Sequence, residues 1–340
     1  MKKQLCFITI VLIIFSACDK SDENIINMRF DRHILPGYDI TTIAFDGSGN
    51  AWMGTWNYQG SGAGNLPLLI KYHIASGDKV IYDASNSPIQ PGMVIWTIAA
   101  DSKNNIWIGC DGLIKFDGQH FTKYNSDNSP IPVDFVQSIA VDSKDNIWFS
   151  SSTHMEGGFV KYDGSDFHVF TPDDSDMPGN GVRKIAIDKN DHVWLAQYGA
   201  IDNTSLLKIA GDTWTTYGQE AFGFVLPFWG NIVINSKNQV VGGIDYTLTG
   251  GIYDPRPQVL IFDGTKARQE KFDNTSSVLQ LVTDRHDNIW CRSRDRLAVY
   301  NGKAWVVDSL TFKDLRIEVM AVSNDHKTWI GTDDGVFINE

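Results

Sequence analysis

The chain has 340 residues and a formal charge of −12, which becomes −14 once Lys2 and Lys3 leave with the leader described below. A surface this acidic stays soluble and repels phosphate, which argues against a nucleic-acid partner. Beyond Cys6 and Cys18 the cysteines are Cys110 and Cys291, too far apart in the repeat order for a bridge and without metal-ligand spacing.

Lys2 and Lys3 precede an apolar run over residues 5–15, followed by Ser16, Ala17 and Cys18. Residues 1–17 read as a secretory signal, too short to span a bilayer as a stable helix. The Phe-Ser-Ala-Cys ending resembles a bacterial lipobox, with phenylalanine where leucine is usual. That resemblance implies that Cys18 carries the lipid and becomes the mature amino terminus. Residues 18–27 form a polar tether, and its acidic start resembles the surface-export signal of Bacteroidetes lipoproteins. The expectation is a monomeric outer-membrane lipoprotein facing outward, held to the membrane by its lipid alone.

Residues 28–340 are expected to form the fold. Met28–Ile34 reads as an isolated strand. A frame of Asp-x-x-x-Asn-x-Trp then recurs, at Asp46 to Trp52, Asp101 to Trp107, Asp142 to Trp148 and Asp284 to Trp290, and with His192 in the asparagine slot at Asp188 to Trp194. Ser323 to Trp329 keeps the tryptophan, and Asn235 to Val241 is a worn copy. The tryptophan slots lie 55, 41, 46, 47, 49 and 39 residues apart, a period that signals a propeller or solenoid.

Each repeat has one internal grammar. A β-rich run such as Val136–Val141 reads as a strand, the polar stretch turns the chain, and the tryptophan segment starts a second strand. A third follows, as in Gly112–Phe116 and Gly158–Tyr162. Asp117-Gly118, Asp163-Gly164, Asp263-Gly264 and Asn301-Gly302 mark the next hairpin. A fourth strand, as in Phe121–Tyr124 or Phe167–Phe170, ends the unit. Four antiparallel strands without helical periodicity describe an all-β propeller blade. The last repeat stops after its third strand, and Met28–Ile34 resembles the missing fourth. Pairing of the two would close a ring of seven blades and remove its exposed edges.

The tryptophan column is expected to wedge between blades, so that Trp148→Ala costs about 3–5 kcal/mol. The Asp-x-x-x-Asn turns lack the alternating carboxylates and distal glutamate of a calcium loop, which leaves turn chemistry as their role.

The units Asp-x-x-x-Asn-Ile-Trp-Ile-Gly, Gly-Leu-Ile-Lys-Phe-Asp-Gly and Phe-x-x-Tyr, with Ser-Pro-Ile-Pro at 129–132, resemble the two-component regulator propeller repeat. That family forms extracytoplasmic sensors of hybrid histidine kinases in gut Bacteroidetes, and free-standing lipoprotein versions occur. The likeness is strongest in blades two, three and six. Blade five departs most, through Val241 and an insert over 245–257. With no kinase segment in the chain, the resemblance implies a binding module.

Ligands of propellers bind on the face that carries the loops between strands two and three and those entering strand one. Four residues beyond the tryptophan slots stand Trp56, Asp111, Ser152, Tyr198, Asp245, Arg294 and Asp333. Five residues before the aspartate slots stand Thr41, Trp96, Gln137, Arg183, Gly230, Leu279 and Glu318. Positions that vary inside a repeated frame are free of the packing rule and can carry specificity. An aromatic rim of Trp56, Tyr58, Trp96, Tyr198, Trp229 and Tyr246 is expected, with Asp111, Arg183, Arg294 and Glu318 as polar handles. Such a rim suits a glycan or a peptide. Packing between blades is the competing role for Trp96 and Trp229, and a protein partner at the cell surface is a further reading.

No cofactor or metal is expected, and no serine-elbow or metalloprotease motif occurs. The alternative is a metal-dependent lyase. Streptogramin-inactivating lyases are seven-bladed propellers with similar repeats, and a histidine–glutamate site matches His154, Glu156 and Glu318 loosely.

Overall fold

The computed structural model describes residues 28–56, 66–153, 156–197, 205–224, 228–245, 258–272, 277–293, 296–308 and 311–339. Seven four-stranded antiparallel sheets build the molecule. Blade 2, made of Thr97–Ala100, Ile106–Cys110, Gly112–Phe116 and Phe121–Tyr124, shows the pattern of the first six. The seventh combines Ile317–Val322, Thr328–Thr332 and Gly335–Asn339 with the amino-terminal strand Phe30–Ile34. That strand pairs antiparallel with Gly335–Asn339, from Phe30 opposite Asn339 to Ile34 opposite Val336. Each blade's first strand touches the first strand of the next, and blade 7 touches blade 1, so the innermost strands encircle the axis. The expected seven-bladed ring is therefore closed. Its one described helix is a single turn, Gln219–Phe222, on the way into blade 5.

The hairpin between strands one and two is a repeated clamp. In blade 2, Asp101 Oδ1 accepts from the backbone N–H of Lys103 and Asn105, at 3.0 and 2.9 Å. Its Oδ2 accepts from Asn105 Nδ2 at 2.7 Å and from the indole Nε1–H of Trp107 at 3.1 Å. The same carboxylate-to-indole bond joins Asp46 to Trp52, Asp142 to Trp148, Asp188 to Trp194 and Asp284 to Trp290. One carboxylate thus stops the turn and fixes the rotamer of the ring that fills the seam. Three residues before each slot the backbone is left-handed, at Gly49, Asn104, Asp145, Asp191, Asn238, Asp287 and His326. Glycine, Asn and Asp accept that conformation most readily, which explains the polar choice there.

Side chains also link successive turns around the ring. Ser102 N and Oγ donate to Asp145, Ser143 to Asp191, and Ser236 to Asp287, at 2.5–3.0 Å. The rest of the drive is apolar. Trp52, Trp107, Trp194, Trp290 and Trp329 are at most 3% exposed, each in a cluster with its neighbours. Trp148 is the exception, being partly exposed.

Candidate functional site

The upper face is shaped by a kink in four of the seven innermost strands. Register shifts fall between Ile40 and Thr42, Val182 and Lys184, Trp229 and Asn231, and Ile317 and Val319. The extra residues are Thr41, Arg183, Gly230 and Glu318, four of the seven varying positions. A bulge leaves its residue unpaired and re-aims its side chain, which frees Thr41, Arg183 and Glu318 from the ladder, whereas at Gly230 a Cβ would sit 1.9 Å from Val278 O and only glycine fits. Two of the seven varying positions reach to the next blade. Gln137 Nε2 donates to Val182 O at 3.2 Å, and Arg183 Nε donates to Gly230 O at 3.4 Å. Arg183 also pairs with the buried Asp245 at 3.5 Å.

The densest polar group lies where blade 7 meets blade 1. Arg316 Nη2 pairs with Asp39 Oδ2 at 3.1 Å, and its Nε pairs with Glu318. Asp333 Oδ1 accepts from the Arg316 backbone N–H at 2.9 Å. Arg292 donates to Ile317 O from the neighbouring blade. Asp39 Oδ1 is buried without a hydrogen-bond partner among the described residues. Burial raises the Asp39 carboxyl to about 6; Arg316 opposes the rise, and Glu318 and Asp333 add to it. Burial likewise lowers the Arg292 guanidinium below its ordinary value. The Asp39 carbonyl accepts from the backbone N–H of Trp56 at 3.0 Å, which brings an exposed indole beside the group.

The predicted rim is only partly assembled by these contacts. Trp56 and Trp96 are 36% and 42% exposed, and Trp96 meets Phe135 edge-on at 5.4 Å. Asp111 is exposed in the one-residue turn between Cys110 and Gly112. Glu156 is exposed, and its N–H donates to Thr153 Oγ1 at 3.2 Å. Tyr58, His154, Tyr198, Tyr246, Arg294 and the lipidation residue Cys18 lie outside the described residues.

Trp229 is a correction. It is 1% exposed, its indole donates to Ser205 O at 3.0 Å, and it packs on Phe222, so it belongs to the core rather than the rim. Gly242 makes the room, since a Cβ there would sit 2.2 Å from the Trp229 ring. Ser152 and Asp245, offered as variable rim positions, are also buried. Sequence reasoning missed Asp39 and Arg316, which are 277 residues apart and share no motif. The two inner thiols are inert by placement: burial pushes Cys110 up to about 12 and raises Cys291 further.

The model of the two-component regulator propeller matches residues 89–112, which span the entry to blade 2 and its Trp107 strand. Over those residues the chain is similar to a two-component regulator propeller repeat. No curated protein sequence matches it. Among solved structures, the extracellular domain of BT4673 from B. thetaiotaomicron, assigned to a one-component or hybrid two-component system, superposes with TM-score 0.67 at 15% identity. That match covers 89% of this chain and 40% of the other. PorZ, a surface component of the type-IX secretion system of Porphyromonas gingivalis, gives 0.67 at 14% identity over 92% and 48%. Streptogramin B lyase gives 0.64 at 14% identity over 90% and 95%. This chain thus spans about two-fifths of the BT4673 domain and about half of PorZ. At such identities the shared property is the propeller fold. No helix among the described residues is long and apolar enough to cross a membrane.

Proposed function

We propose that the protein is an extracytoplasmic binding module, tethered through a lipid on Cys18 at the outer-membrane surface, whose upper mouth captures a glycan or a peptide. The observation that carries this reading is the bulge series. One repeated frame puts Thr41, Trp96, Gln137, Arg183, Gly230, Leu279 and Glu318 at equivalent positions, four of them at bulges, and no two are alike. Exposed Trp56 and Trp96 supply flat apolar faces, and the Asp39–Arg316–Glu318 group supplies directional hydrogen bonds. The BT4673 domain, being extracellular, supports the same address.

Glycan and peptide arrays probed with the wild type, Trp96→Ala and Arg316→Ala test the reading. Binding that both variants weaken supports it, whereas array binding indifferent to both discards the upper mouth. Protease shaving of intact cells tests the address, and protection of the protein would place it inward.

The lyase alternative draws on the fold shared with streptogramin B lyase. Among the described residues no group of three His, Cys, Asp or Glu is arranged to hold a metal, and Glu318 is engaged by Arg316. A stoichiometric divalent ion in purified protein would favour the lyase over the binding module.

A further inference from the structure

On the opposite face, where the Asp turns lie, one seam of the ring is under-filled. The residue after the strand-three partner of each tryptophan is Tyr72, Phe116, Tyr162, Ile209, Phe262, Tyr300 and Asn339 in blades 1 to 7. The ring at this place meets the tryptophan of the preceding blade. Trp52 meets Phe116 at 5.8 Å, Trp107 meets Tyr162 at 5.7 Å, Trp194 meets Phe262 at 6.3 Å, and Trp329 meets Tyr72 at 6.5 Å. In blade 7, where Asn339 stands, Phe30 covers Trp290 instead, at 6.4 Å. Blade 4 has Ile209, and no ring replaces the missing one. Trp148 keeps only the rings of its own blade, Phe159 and Phe170, among the described residues.

The result is a cleft of about 570 Å³ between blades 3 and 4. That lies within the range of about 300–1,000 Å³ usual for small-ligand sites. Its floor is aromatic: Trp148, then Phe170, then Trp214 of blade 4, whose ring lies 5.5 Å from that of Phe170. Its polar groups divide into spent and unspent. Asp142 is used by its own turn and Trp148, Asp191 by Ser143, and His192 by Asp188 at 3.0 Å. Unspent are the Trp214 indole N–H, the exposed Asp212 carboxylate and the Asn190 side chain, none of which has a hydrogen bond or ion pair among the described residues. The Lys161 ammonium sits over the Trp148 ring at 5.3 Å and has no carboxylate partner among the described residues.

We infer that this seam is a second ligand site, taking a neutral pyranose ring. A pyranose presents an apolar C–H face to the aromatic floor and hydroxyls that both donate and accept. With Lys144, which also lines the cleft, the unspent groups are three donors, one acceptor and one amide, and the cleft as a whole sets two ammoniums against three carboxylates. That balance suits an uncharged polyol better than an anion or a cation. The inference is independent of the upper-mouth reading, because the cleft shares no residue with it.

Titration of intrinsic fluorescence with methyl glycosides of glucose, galactose, mannose and N-acetylglucosamine tests the site on the whole protein. At least one glycoside should bind the wild type, and Ile209→Tyr, which restores the ring used in other seams, should weaken it by about tenfold or more. Trp214→Ala and Asp212→Asn, at an outer strand and an exposed turn, should weaken it too, and do not depend on the core accepting a tyrosine. Val306→Ala, at an exposed strand position outside both sites, should leave it unchanged. No glycoside binding by the wild type overturns the inference. Binding retained in both Ile209→Tyr and Trp214→Ala overturns it as well, and if such binding is lost in Trp96→Ala the sugar belongs to the upper mouth.

Discussion

The turns of blades 2 and 7 share a frame but not a chemistry. In blade 2 the Asp101 carboxylate holds both the turn and the Trp107 indole. In blade 7 Ser323 stands in that place: its Oγ accepts from Lys327 N and donates to Asp325, and the buried Trp329 Nε1–H is left without an acceptor. Blade 5 resolves the same conflict by changing both members. Asn235 holds its turn through Oδ1 and gives its Nδ2–H to Gln239, and Val241 brings no indole to satisfy. The carboxylate and the tryptophan are one unit, and a blade that loses half of it carries an unmet donor.

Substitutions can break or sharpen this contrast. The largest effect is expected from Trp107→Ala, which empties a filled seam and should lower stability by about 3–5 kcal/mol in denaturant unfolding. Trp148→Ala should cost less, about 2–3 kcal/mol, because its seam is already open to solvent; equal losses at the two sites would contradict the seam comparison. Asp101→Ala should cost about 1–3 kcal/mol by stranding the Trp107 indole and two turn amides. In blade 7 the reverse change should help. Ser323→Asp combined with Asp325→Ser, which removes the adjacent like charge, should add about 1 kcal/mol, visible as a raised thermal midpoint.

The smallest effect is one of pH. Asp39 sits at about 6 in the fold, above the ordinary 3.8, so the folded state holds its proton more tightly than the unfolded chain. Its contribution is therefore favourable below about pH 4 and is lost as pH rises through 6. Asp46 runs the other way. Burial alone would raise it, but hydrogen bonds from Trp52 and the turn outweigh that and lower its carboxyl. Its contribution is present above 3.8 and disappears as pH falls. Asp39→Asn should flatten the thermal midpoint between pH 4 and 6 relative to wild type, and an unchanged slope would refute the assignment.

The ring was legible in the sequence because each blade repeats the same short-range demands. A left-handed residue, a turn acceptor and a tryptophan stand at fixed offsets, and the missing fourth strand of blade 7 had one counterpart in Met28–Ile34. The upper mouth was less legible, since it is assembled across blade boundaries. Asp39 meets Arg316 from the other end of the chain. Trp229 read as a rim residue because its burial depends on space left by Gly242, a neighbour that no repeat predicts. The under-filled seam was present as a pattern break at Ile209, visible once strand-three positions are aligned against the rings opposite them.

The pairing of Phe30–Ile34 with Gly335–Asn339 has a mechanical consequence. The strand that fastens the circle is also the first strand in chain order among the described residues. Tension applied at that end reaches the clasp before it reaches any of the other six blades. A tethered molecule under load would open at blade 7, uncovering Trp290 as Phe30 peels away, while blades 1 to 6 keep their complete sheets.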